Sequence, residues 1–163
     1  MLFTKTVWNY AVKLITIVAI AMGNFSIVLP AVAVTQNFQL QSDRGYRVET
    51  VFDYSDRLPE KITERGKGIT DRVDFLKVRF YNPAGEMIAS YDNVLAAVAR
   101  GNYFEFNFDP QTQQPFGNLD LGGETAAEMY LKGNVAEGFD LIEVDSSGEE
   151  IVVDSGHWTL STD

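Results

Sequence analysis

Leu76-Lys77-Val78-Arg79-Phe80-Tyr81-Asn82-Pro83-Ala84-Gly85-Glu86-Met87-Ile88-Ala89-Ser90-Tyr91 is the stretch whose reading decides the fold. Leu76, Val78 and Phe80 alternate with Lys77 and Arg79. In an extended chain successive side chains point to opposite faces, so this run buries one face and wets the other. Asn82-Pro83-Ala84-Gly85 then supplies turn chemistry, with Pro early and Gly late in the reversal. A second strand from Met87 to Tyr91 completes a hairpin.

The same period recurs outward from this point. Phe38 and Leu40 alternate with Gln39 and Gln41. Tyr46, Val48, Thr50, Phe52 and Tyr54 alternate with Arg47, Glu49 and Asp53, and Phe104, Phe106 and Phe108 with Tyr103, Glu105 and Asn107. Asp145-Ser146-Ser147-Gly148 divides Phe139 to Val144 from Glu150 to Val153 as a second hairpin. Further strands are expected over Thr125 to Leu131 and His157 to Leu160. About eight short strands at roughly ten-residue spacing, with no βαβ alternation and no heptads, predict an all-β antiparallel two-sheet sandwich. A small β-barrel is the alternative. The segments Val78 to Ile88 and Ile142 to Val153 resemble immunoglobulin-like sandwich strands, which implies a fold and assigns no residue a role.

Three stretches carry weak strand signal. Ser55 to Asp74 is charged, holds Pro59, Gly66 and Gly68, and reads as a loop with at most one helical turn near Glu60 to Arg65. Asn93 to Arg100 reads as a short helix behind an Asn cap or as a loop crossing between sheets. Asp109 to Gly123 holds two prolines and three glycines and reads as a long connection.

The N-terminus sets the expected location. Lys5 and Lys13 precede a mostly apolar run from Leu14 to Leu29; Pro30 ends it, and Ala31-Val32-Ala33 offers small residues at a cleavage site. That order predicts a secretory signal peptide over residues 1–33 and an exported, periplasmic or extracellular domain over residues 34–163. Retention of the leader as a membrane anchor is the alternative; without it, no membrane contact is expected of the mature domain.

The chain has no cysteine, which removes disulfides, thiol nucleophiles and Cys-zinc sites. Charge is lopsided. Val34 to Arg100 holds ten basic and ten acidic residues, whereas Gly101 to Asp163 holds thirteen acids against Lys132 alone. Such a surface repels phosphate backbones, so no nucleic-acid partner is expected, and it attracts cations or a basic partner.

Catalytic signatures are missing. His157 is the sole histidine, no Gly-x-Ser-x-Gly elbow exists, and Arg65-Gly66-Lys67-Gly68 lacks phosphate-loop spacing. No cofactor is expected. Calcium, which takes only oxygen ligands, has weak candidates in the acidic final hairpin: Asp140, Glu143, Asp145 and Glu149. Tyr91, Tyr103, Tyr130, Phe116 and Trp158 are the aromatics expected on a wet face or in loops, with Tyr91, Tyr103 and Trp158 the candidates to stack on a ligand if exposed. These readings favour a non-enzymatic module binding a protein or cell-envelope partner through the Ser55 to Asp74 loop and the acidic C-terminal half. A carbohydrate or small-ligand binder using exposed aromatics is the alternative. A carboxylate-based hydrolase, which needs two acids within about 10 Å in a pocket, is the second.

Overall fold

A computed structural model describes residues 33–55 and 60–162. The expected export signal lies outside the described residues except for Ala33, and so does part of the charged loop after Ser55. All the regular structure described is β-strand, in two antiparallel sheets packed face to face with no barrel closure. The sandwich expectation holds and the barrel alternative does not.

The first sheet contains β1 (Ala33–Ser42), β2 (Arg47–Ser55), β4 (Gly68–Ile69), β5 (Val73–Tyr81), β6 (Met87–Leu95), β7 (Val98–Ala99) and β14 (Trp158–Ser161), in the order β14-β1-β2-β5-β6-β7-β4. The second contains β3 (Ile62–Arg65), β8 (Glu105–Asp109), β10 (Asn118–Gly122), β11 (Met129–Asn134), β12 (Gly138–Val144) and β13 (Glu150–Gly156), in the order β13-β12-β11-β10-β8-β3. A short β9 (Gln114–Pro115) pairs with β8. Apart from β3, the second sheet is built from the acidic C-terminal part of the chain, so the sequence asymmetry becomes an asymmetry between faces.

The apolar members of each alternation meet between the sheets. Phe52 is fully buried, with its ring 4.9 Å from that of Phe106 and 4.7 Å from that of Phe108, both edge to face. Phe38 stacks on Phe106 at 6.4 Å. Aromatic pairs in these orientations add stabilisation beyond the area they bury.

Polar ties also join the sheets. Asn93, buried, donates to the Gly122 carbonyl (2.7 Å) and accepts from the Gly122 N–H (3.0 Å). Arg44, between β1 and β2, donates to the Val153 carbonyl at 3.1 Å and lies 3.5 Å from the buried Asp154 carboxylate.

Three weak-signal stretches fold differently from expectation. Glu60 to Arg65 is not helical: Ile62–Arg65 is strand β3, pairing with β8, and buried Glu64 turns inward to accept the N–H groups of Asp71 (3.2 Å) and Arg72 (2.8 Å). Asn93 to Arg100 is neither helix nor crossing loop. β6 continues to Leu95 and reverses through Ala96 (φ 52°) and Ala97 (φ 57°) into β7. Burial of Val94 opposite Ala99 overrides the helical propensity of the alanines. Within Asp109 to Gly123, Leu119 and Leu121 are buried on β10, an interior strand of the second sheet. The strand expected over Thr125 to Leu131 begins later, at Met129, because Thr125 to Glu128 forms a turn with Ala127 at φ 65°.

Candidate functional site

A transverse row of polar side chains crosses the outer face of the second sheet. Register pairs Arg65 with Glu105, Glu105 with Asp120, Asp120 with Lys132, Lys132 with Asp140 and Asp140 with Ser155. The row therefore crosses β3, β8, β10, β11, β12 and β13. Residues directly opposite on antiparallel strands hold their Cβ atoms about 5 Å apart, close enough for each charge to feel the next.

Two adjoining hollows open along this row and share Asp120 and Lys132. One, of about 450 Å³, runs past Asn134 and Asp140 to Ser155 and Gly156 on β13. The other, of about 340 Å³, lies between Tyr103, Tyr130, Glu124 and Glu150. A second polar rank flanks the row: Asn107 donates to the Asn118 carbonyl (2.7 Å), and Asn134 donates to the Asn118 side-chain oxygen (2.8 Å).

The two neighbouring carboxylates Glu105 and Asp120 sit in different environments. Glu105 accepts from the Arg65 guanidinium (2.5 Å) and the Asn107 amide (3.2 Å). Burial pushes the Asp120 carboxyl up to about 7; Lys132 pulls the other way, while Glu124, Glu105 and Glu150 add to the rise. Burial also raises the Tyr130 phenol, reinforced by its hydrogen bond to Glu150.

Each sequence candidate has a definite place. Tyr103 is 73% exposed, and Glu124 holds its loop at the rim of the smaller hollow by accepting from the Tyr103 N–H (2.6 Å) and the Asn102 N–H (2.8 Å). Tyr91 packs edge to face on Phe80 at 5.9 Å, and its hydroxyl accepts from the Met129 N–H at 2.9 Å. Trp158 is buried, its indole N–H donating to the Phe139 carbonyl at 3.1 Å. Tyr91 and Trp158 thus bridge the two sheets; neither lines these two hollows, and Tyr91 borders a separate one of about 470 Å³ with Asn93, Arg100 and Glu124.

The calcium candidates do not converge. Asp140 lies in the row and accepts from the Ser155 hydroxyl, whereas Glu143 and Glu149 are exposed along the final hairpin. Asp145 Oδ1 accepts from the Ser147 hydroxyl (2.6 Å), the Ser147 N–H (2.7 Å) and the Glu149 N–H (2.9 Å), which together hold its carboxyl below the usual range. Among the described residues no three acidic or histidine side chains gather in a metal-holding cluster.

Sequence reasoning missed Asp120, Lys132 and Glu105 as site residues, while Tyr130 stood among the aromatics expected on a wet face or in a loop. Lys132 carried a signal, being the one base in the acidic C-terminal part. No protein-family model matches this chain, and neither a curated protein nor a solved structure does.

Proposed function

We propose that this protein is an exported, non-enzymatic binding module whose recognition surface is the outer face of the second sheet, and that its partner is a positively charged protein segment of the cell envelope. One observation carries the reading: Glu105, Asp120, Asp140 and Glu150 line adjoining hollows in which Lys132 is the one cation among the lining residues. Carboxylates held this way in a partly desolvated depression attract cationic groups, and a ligand ammonium or guanidinium beside Asp120 relieves the cost of ionising it. Export is supported by the order of residues 1–33.

Titration with a lysine-rich peptide at low and moderate salt tests this. Affinity should fall steeply as salt rises. The double substitution Asp120→Asn with Asp140→Asn should weaken binding by about tenfold, as expected for two lost charge pairs of about 0.7 kcal/mol each. Binding that ignores both salt and these substitutions refutes the assignment.

A second reading is favoured by Tyr103. An exposed phenol ring at the rim of the smaller hollow, with Glu124 and Glu150 among the lining, suits a saccharide, the ring stacking on the sugar and the carboxylates meeting its hydroxyls. It predicts salt-insensitive binding of a glycan that Tyr103→Ala abolishes; flat titrations across a glycan panel remove it. The hydrolase alternative rests on Glu105 opposite Asp120, two carboxyls in contrasting settings. It predicts glycoside cleavage lost in Asp120→Asn, and no turnover on such a panel disposes of it.

A further inference from the structure

β13 is the terminal strand of the second sheet, paired on one side by β12 and, among the described residues, by no strand on the other. It also walls both hollows, the larger through Ser155 and Gly156 and the smaller through Glu150. An unpaired edge presents a row of N–H and C=O groups ready for another chain. Such edges are usually blunted by charge, brevity or a bulge. Here the protection is partial. The register slips where Leu141 pairs with Asp154 and Ile142 with Val152, leaving Val153 as the extra residue. Arg44 takes the Val153 carbonyl, which closes the edge at that point.

The first part of β13 stays open. Ile151 is 49% and Val152 57% exposed, and the two point to opposite faces of the strand. Val152 lies opposite Ile142, on the outer face, beside a small apolar cluster of Tyr130, Ile142 and Val144. The other sheet ends are less suited. β3 has four residues, with Arg65 turned toward Glu105; β14 also has four and β4 has two. A second copy of the chain is disfavoured as occupant, because β13 itself carries no Lys or Arg to meet Glu150 of the other copy.

We infer that an extended partner segment, alternating cationic and apolar side chains, adds to β13 as a further strand of the second sheet. This rests on the acidic-hollow reading and states how the basic partner lies. Its main chain pairs along Glu150 to Val152. Its cationic side chains reach over the outer face toward Glu150, and its apolar ones cover Ile151. Main-chain bonds then supply affinity, while the alternation supplies specificity.

The test uses the full chain and a short peptide alternating Lys with Val, together with two versions of it N-methylated on alternate residues. In an added strand the N–H groups of every second residue face β13, so methylation matters in one phase only. One version should lose at least about tenfold in affinity, and the other should bind within about twofold of the parent. Equal effects in the two versions overturn strand addition, and if the parent still binds in a salt-dependent way the acidic-hollow reading stands. Failure of the parent peptide to bind at all overturns both.

Discussion

Replacing Asp120 with Asn should change how stability depends on pH more than it changes the fold. The folded protein holds this carboxyl at about 7 against an ordinary 3.8, chiefly through burial. The folded state therefore binds the proton more tightly than the unfolded chain. Below about pH 4 both states are protonated and no penalty exists. Between about 4 and 7 the unfolded chain ionises while the folded one does not, so stability falls as pH rises; above about 7 the loss is complete. A rise of this size has a ceiling of about 4 kcal/mol, at about 1.4 kcal/mol per tenfold. Asp120 borders an open hollow, where water screens it, and roughly half of that ceiling, about 2 kcal/mol, is the expected contribution. Asp120→Asn cannot ionise, so its stability relative to the parent should climb by about 2 kcal/mol from pH 4 to pH 8. Urea unfolding of both proteins across that range measures the difference directly. Parallel curves would refute the claim that Asp120 is desolvated, and with it the electrostatic basis of the site.

Three further substitutions probe the architecture. Phe52→Ala removes the ring at the centre of the inter-sheet aromatic cluster and should cost about 3–5 kcal/mol in chemical denaturation. Asn93→Ala leaves both main-chain groups of Gly122 without their inter-sheet partner and should cost about 2 kcal/mol, seen also as faster hydrogen exchange at the Gly122 amide. Ala96→Asn with Ala97→Gly places favoured residues at two positive-φ turn positions and should stabilise by about 1 kcal/mol, raising the urea midpoint with an unchanged slope.

Local alternation made most of the sandwich legible. Phe38 with Leu40, Val48 with Phe52, Val78 with Phe80 and Phe106 with Phe108 are each buried on the inner face, and both hairpins turn at the residues whose chemistry demanded it. Where local chemistry competed with tertiary pairing, the pairing won. Ala96 and Ala97 read as helix formers yet occupy a tight reversal, because Val94 and Ala99 are buried opposite each other. Leu119 and Leu121 alternate as a strand should, but the glycines and prolines around them disguised β10 as a connection.

That disguise hid the site as well, since Asp120 lies between those two leucines. A period of two tells which face a side chain occupies; it does not tell which neighbour it meets there. Glu105, Asp120, Lys132 and Asp140 become adjacent only through the register of β8, β10, β11 and β12. Tyr91 and Trp158 show the converse. Each has a polar atom that looked available to a ligand, and each gives it to a main-chain group of the opposite sheet. Lys132 was the one pointer within reach of sequence. A lone base among thirteen acids is costly to replace only if the acids surround it in space, and Asp120 and Asp140 flank it across β11. Composition exposed the imbalance, and strand register gathers it into one polar row across the second sheet.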